Sequence, residues 1–203
     1  MFTLKSSYSV FSFLYPKLLW NKSRAEKVIY LTFDDGPLPE ITPWVLTQLK
    51  NYNAKATFFC IGDNVSKHPE VFQQVIDAGH IVGNHTNNHL NGWKNKTANY
   101  IENVSLAATK INSKLFRPPY GKITRKQINL LDKNYIIVMW DVLSYDFDAS
   151  ISGKKCADIV LKKAKNGSIL VFHDSLKAEK NLKTALPIVL HTLSEKGFMF
   201  KSL

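Results

Sequence analysis

The chain has little acid, little cysteine and no long apolar run, and each shortage narrows what it can be. Asp and Glu number 16 against 27 Lys and Arg, a formal charge of +11. Such an excess favours an anionic partner: nucleic acid, a cell-wall polymer or a membrane surface. The basic residues are scattered, however, with only short clusters at Lys154-Lys155 and at Lys162, Lys163 and Lys165. A nucleic-acid footprint is concentrated, so no nucleic acid is expected as partner. Two cysteines, Cys60 and Cys156, say little about redox compartment. Cys60 reads as a small buried hydrophobe, and nothing in the sequence supports a Cys60–Cys156 bridge. Residues 2–20 are rich in aromatics, but Lys5 and Lys17 interrupt them. The uncharged stretch 6–16 is too short and too polar to span a bilayer. It also lacks a convincing small-residue cleavage site. Residues 1–25 are therefore read as an arm that packs on the domain or rests on a membrane surface. The compartment stays open, with the cell envelope among the candidates.

Linkers, internal repeats and low-complexity tracts are missing as well. A chain of 203 residues without them is one domain by default, here 26–203, and 45% hydrophobic content is ample for its core. What is present is alternation. Strand-like runs are predicted at 28–33, 56–61, 80–84, 115–117, 135–140, 168–173 and 198–201. Helix-like segments fall between most of them, at 42–52, 70–78, 98–114, 124–132, 157–165 and 182–196. Thr42 is the expected N-cap of the first helix, ahead of Pro43 at its first position. Gly79 and Gly197 are expected helix stops. The pattern implies an α/β fold with a mostly parallel sheet. Seven strands suit a barrel-like closure as readily as an open sheet.

The informative polar residues fall where these strands end, the edge at which parallel α/β folds build their sites. Thr32-Phe33-Asp34-Asp35-Gly36-Pro37 closes the first strand. His85-Thr86-Asn87-Asn88-His89 follows the third and sets two imidazoles at i, i+4. Asp35, His85 and His89 form a candidate metal triad. Two neutral imidazoles and one carboxylate suit zinc and leave a position for water, while cobalt, nickel or iron accept similar donors. Asp34 is then a spare carboxylate within reach of a water proton, a candidate general base. The alternative is an Asp that only shapes the Gly36-Pro37 turn. Arg117-Pro118-Pro119-Tyr120-Gly121 follows the fourth strand. Its prolines remove donors, leaving the Tyr120 N–H for a developing oxyanion; Arg117 can hold Asp34 by a charge-assisted pair. His173 ends an apolar strand and is a candidate general acid. His68, His80 and His191 read as structural. Trp44, Trp93 and Tyr145 can stack on sugar rings or belong to the core.

These motifs, together and in this order, resemble the polysaccharide deacetylases, the NodB-homology or carbohydrate esterase family four domain, over about 28–200. The resemblance implies a distorted (β/α) barrel of about seven strands, related to the TIM barrel. It implies metal-dependent removal of acetyl groups from a glycan. Asp34 matches the family's base and Asp35, His85 and His89 its metal triad, for one divalent ion, with zinc first and cobalt or nickel as alternatives. Arg117 matches the residue tethering the base, Tyr120 the oxyanion amide and His173 the acid; Thr86 matches a supporting hydroxyl. The expected enzyme is a monomer acting on an N-acetylglucosamine glycan such as peptidoglycan or chitin. Rival readings are an esterase of acetylated xylan, an amidohydrolase of small non-sugar amides, and a glycan-binding pseudoenzyme without turnover.

Three positions depart from the family pattern. A stretch that commonly reads Trp-Ser-x-Asp-x-x-Asp-Trp is here Trp140-Asp141-Val142-Leu143-Ser144-Tyr145-Asp146-Phe147. Leu143 stands where an Asp usually tunes the acid histidine, and Phe147 where a Trp is usual. Asp141 is expected to take over. It lies two residues before Leu143 and points the same way on extended backbone. Asp146 and Asp174 are alternatives. Val171, two before His173, replaces a Leu of the acetyl pocket, a conservative change.

Overall fold

The alternation of β1, Val28–Asp34, decides what the site can contain. Ile29, Leu31 and Phe33 turn one way and join the main hydrophobic cluster beneath the helices. Tyr30, Thr32 and Asp34 turn the other way. The second strand, β2 (Thr57–Cys60), repeats the division. Phe58 and Cys60 enter the cluster under the helices, whereas Phe59 packs with Val138 and Ile169 in a small separate cluster. The sheet thus has an outer face covered by helices and an inner face where Asp34 sits at the strand end.

A computed structural model describes residues 14–203; the first half of the N-terminal arm lies outside the described residues. After β1 the chain runs α1 (Thr42–Asn51), β2, α2 (Gly62–Lys67), α3 (Pro69–Asp77), β3 (Ile81–Asn84), α4 (Thr97–Ala108) and β4 (Leu115–Phe116). It continues with α5 (Arg125–Leu131), β5 (Ile136–Ile137), β6 (Val142–Leu143), α6 (Gly153–Lys163), β7 (Ser168–His173), α7 (Glu179–Glu195) and β8 (Met199–Lys201). Seven strands pair along the path β5-β4-β3-β2-β1-β7-β6, and β8 adds to the start of β1. Every one of these pairings is parallel.

The sheet is curled. Leu19 bridges to Val138, just past β5, while Asn21 bridges to Ser168 at the start of β7. Two residues of extended chain reach about 7 Å, so the two flanks of the sheet must approach each other closely. The arm lies across this seam: Leu19 N–H donates to Ile137 O at 2.9 Å and Met139 N–H to Leu19 O at 2.7 Å. Leu18 is buried against Tyr100, Phe116 and Ile128. The described part of the arm therefore packs on the domain. No helix among the described residues is long and apolar enough to cross a membrane.

All seven predicted strand positions hold strands, and the mostly parallel α/β reading stands. The predicted run 135–140 shrinks to β5, because Val138 and Met139 give their backbone bonds to β4 and to the arm. The two-residue β6 was not expected. Gly79 and Gly197 both take positive φ, +73° and +74°, as helix stops do. Thr42 does not cap α1: the cap position is Ile41, and the Thr42 hydroxyl instead donates to Asp174 Oδ2 at 2.6 Å. Cys60 and Cys156 are free and buried. His80 is buried and accepts the Ala56 N–H on Nδ1 at 3.2 Å, a structural role as expected.

Candidate active site

Asp34 and His173 are partners in the β1–β7 register, so the two strands end level with each other. Arg117, fully buried, comes from the end of β4 and lies across the inner face. Its Nη1 donates to Asp34 Oδ1 and to Thr32 Oγ1, both at 2.7 Å. Nη2 donates to Met139 O at 3.0 Å, and the guanidinium stacks over the Phe59 ring at 4.1 Å. Burial lowers the Arg117 guanidinium from its ordinary value, and Asp34 counters that. One oxygen of Asp34 is thereby fixed beside the site. The Thr32 hydroxyl was not anticipated; its spacing two residues before Asp34 on the same strand face was the signal available.

Neighbouring Asp35 would diverge from Asp34 on a continuous strand. It instead takes φ +84° at the start of the turn. The turn is held by Asn64 Nδ2 donating to Asp35 O at 2.7 Å and by Ile61 N–H donating to Gly36 O at 2.9 Å. Gly36 is required here, since a Cβ would overlap the Asp174 carboxylate. Among the described residues, five of the six non-glycine residues with positive φ lie around this centre: Asp35, Thr86, His89, Tyr120 and Tyr145. Each such residue costs on the order of 1 kcal/mol or more, and such strain gathers at functional sites.

The turn aims Asp35 at the two imidazoles. His89 Nε2 is 3.2 Å and His85 Nε2 3.7 Å from Asp35 Oδ1. One ligand atom from each of the three lies within 4.8 Å of the others. His85 is buried, and its Nδ1 is 2.7 Å from Arg117 O. A carbonyl only accepts, so Nδ1 carries the proton and Nε2 presents a lone pair toward Asp35. Burial pushes His85 down to about 4, which keeps it neutral, as a metal ligand must be. Burial would raise Asp35, but the close His89 and the charge of His173 and His85 hold it well below the usual carboxylate range. Asp35 Oδ1 is buried with no hydrogen-bond partner. A buried carboxylate oxygen without a donor is costly, and a cation between these three groups supplies what it lacks. The donor set fits one divalent ion.

Beyond the triad, His173 Nδ1 pairs with Asp146 Oδ1 at 2.7 Å, and the His173 backbone N–H donates to Asp146 Oδ2 at 2.8 Å. Burial alone would lower His173; Asp146, with lesser help from Asp35 and Asp34, raises it to about 9. The expectation for Asp141 is corrected. Its carboxylate points away, to Arg24 Nη2 at 2.7 Å, Ser168 Oγ at 3.0 Å and the Ile169 N–H at 2.8 Å. The reason is register: Val142 and Leu143 pair with Leu170 and Val171, so Asp141 lies beside Ile169 near the start of β7, whereas His173 closes that strand at its other end. Ser144 Oγ then bonds Asp146 Oδ1 at 2.9 Å and steers it to His173. Asp146 occupies the second Asp of the family stretch, and Leu143 leaves this pair intact.

Tyr120 lies in a 3-10 turn, Pro119–Gly121, with φ +61°, and its ring packs on His89 at 4.5 Å between centroids. Phe147 meets His173 edge-on at 5.0 Å. Asp174 is buried behind Gly36, which donates its N–H to Oδ1 at 3.1 Å; burial pushes this carboxyl up to about 8. Trp44 packs against the main core, whereas Trp93 is exposed.

The chain has known relatives. The family model for polysaccharide deacetylase matches residues 21–136. A peptidoglycan-N-acetylglucosamine deacetylase of Bacillus cereus is 36% identical over 89% of this chain and 88% of its own length. The enzyme of that name from Listeria monocytogenes, PgdA, is 31% identical over 88% of this chain, which spans 38% of that longer protein. A crystal structure of a peptidoglycan N-acetylglucosamine deacetylase superposes with a TM-score of 0.85 at 31% identity, covering 95% of this chain and 94% of its own. The chain belongs to the polysaccharide deacetylase family, the NodB-homology domain of carbohydrate esterase family four.

Proposed function

We propose that this chain removes N-acetyl groups from an N-acetylglucosamine-containing glycan of the peptidoglycan or chitin type, releasing acetate. The observation that carries the reading is a pair of separately held groups across the triad: Asp34 bound to Arg117, and His173 bound to Asp146. A binding module needs neither.

Asp35, His85 and His89 would hold one divalent ion, zinc by donor type, with cobalt or nickel as alternatives. Bound there, the ion would supply Lewis acidity toward the acetyl carbonyl and the attacking water. Asp34 takes that proton as general base, its orientation fixed by Arg117. The water oxygen forms a bond to the acetyl carbon, and the Tyr120 N–H donates to the developing oxyanion. His173, protonated at neutral pH through Asp146, gives its proton to the sugar nitrogen as the C–N bond breaks. The acid product loses its proton and leaves as acetate with the free amine; Asp34 gives its proton to solvent and His173 takes one back, which restores the starting state. Every group comes from one chain, so a monomer is sufficient.

The test is acetate release from N-acetylglucosamine oligomers, acetylated xylan and a simple acetanilide, with zinc or with chelator. Release from the oligomers alone, lost with chelator, supports the proposal; release from xylan alone assigns the esterase reading instead.

A further inference from the structure

Both imidazoles of the triad are carried by one loop, 85–89, and that loop is strained. Thr86 takes φ +66° and His89 φ +59°. Left-handed backbone at such residues persists only where the surroundings over-determine it. The His85 ring is fixed directly, through Nδ1 to Arg117 O. The His89 ring only touches Tyr120 and Asp35, and its side chain is 26% exposed. The backbone between the two left-handed residues therefore decides where the second imidazole stands.

That backbone is clamped from two sides. On the α2 side, the Gly62 N–H donates to Thr86 O at 3.0 Å and the Asp63 N–H to Asn87 O at 2.8 Å. On the α4 side, Asn103 Oδ1 accepts the Asn87 N–H at 2.9 Å and the Asn88 N–H at 3.4 Å. Asn87 and Asn88 are the two residues between Thr86 and His89, so a single side-chain oxygen gathers the turn from inside. Asn84 Oδ1 also serves the loop, accepting the Thr86 N–H at 2.9 Å, but Asn84 belongs to β3 itself. Asn103 reaches the loop from a separate element. Asn is a poor residue for a helix interior, and α4 gains nothing from it there. Its use lies in the loop.

We infer that Asn103 is a positioning residue for the metal pair: by holding the turn between Thr86 and His89 it sets the His85–His89 geometry, and with it the affinity for the divalent ion. The inference rests on the metal reading of Asp35, His85 and His89, and it adds a residue that touches neither ion nor substrate. Without the acceptor, the N–H of buried Asn87 loses its partner, which is costly. The loop then relaxes toward ordinary backbone and carries His89 away from Asp35.

The test titrates cobalt(II) into chelator-stripped protein and follows visible absorption, which responds to the geometry of the ligands. Urea unfolding of the metal-free protein is measured beside it. The wild type takes up one equivalent. Asn103→Leu binds cobalt about 10–100-fold more weakly, as loss of an outer partner of a metal ligand does, and with a changed spectrum. Asn103→Ala does the same and stands in if the Leu variant does not fold. Asn103→Asp keeps an acceptor oxygen and binds no more weakly than the wild type. Val104→Ala, the next residue on α4 and buried in the second core cluster, is destabilised yet keeps wild-type affinity and spectrum. Wild-type affinity in Asn103→Leu and Asn103→Ala overturns the inference. So does an Asn103→Asp variant as weak as Asn103→Leu, or a Val104→Ala variant that loses affinity equally. Any of these with one equivalent bound by the wild type leaves the metal reading standing; a wild type that takes up no cobalt removes both.

Discussion

Asp146 grips His173 twice, with one carboxylate oxygen 2.7 Å from the imidazole Nδ1 and the other 2.8 Å from the backbone N–H. The grip fixes both the orientation of the ring and its charge. It also explains how the chain keeps His173 protonated while Leu143 stands in the place of a familiar Asp.

The first prediction concerns that charge. Burial pushes His173 down and Asp146 reverses the shift, so the imidazole stays protonated up to about pH 9. A general acid works only while protonated, so activity should fall as pH rises through that region. In Asp146→Asn the fall should move to lower pH, with turnover down roughly 10²–10⁴-fold. The pH–rate profile checks this; an alkaline limb that does not move contradicts it.

Asp141 should behave differently. Its carboxylate latches the arm through Arg24, so Asp141→Asn should leave the alkaline limb in place and cost stability instead, about 1–2 kcal/mol. A double-mutant cycle with Arg24→Ala, read by urea unfolding, should show the two losses to be non-additive. Simple additivity would mean that the latch does not couple them.

Asp34 and Arg117 should separate chemistry from folding. Asp34→Asn should bind metal as the wild type does and lose roughly 10²–10⁴-fold in turnover. Arg117→Ala removes the partner of a buried carboxylate, which costs about 3–5 kcal/mol, so the variant should be poorly folded. Arg117→Lys keeps the charge but not the fork that binds Thr32 and Asp34 together. It should fold and turn over slowly. Wild-type turnover in Asp34→Asn would falsify the assignment of the base.

Asp174 gives a pH dependence of stability in the metal-free protein. Burial raises its carboxyl from 3.8 to about 8 in the folded state. Between those values the folded chain holds a proton that the unfolded chain has lost, so stability declines as pH rises across the window. Asp174→Asn should flatten that decline, as urea midpoints from pH 4 to 9 would show. Gly36→Ala, whose Cβ would overlap this carboxylate, should destabilise by about 1–3 kcal/mol.

Much of this was legible in the sequence because it depends on local rules. Val28 to Leu31 is an apolar run of strand length, and the residues after strand ends gathered at one edge because parallel strands all finish there. Asp35, His85 and His89 could be grouped from residue type and spacing alone. What could not be read depended on backbone that breaks those rules. Asp141 looked right only from its spacing to Leu143, and the pairing of β6 with β7 sets it beside Ile169, at the far end of the strand from His173. β6, two residues long, carries no period to detect. Thr42 has the chemistry of a helix cap, but a buried carboxylate 132 residues away claims its hydroxyl. The arm's path across the seam depends on Leu19 and Asn21 meeting the two flanks of a curled sheet, a relation no local pattern encodes.

The central claim is that one cation, seated where Asp35 Oδ1 otherwise has no partner, drives deacetylation. Zinc should be titrated into chelator-stripped protein while acetate release from an N-acetylglucosamine oligomer is followed. The account predicts no release at the start, a rise that saturates at one equivalent, and no rise in His85→Ala. Full release from the stripped protein, or a His85→Ala variant that titrates like the wild type, would contradict it.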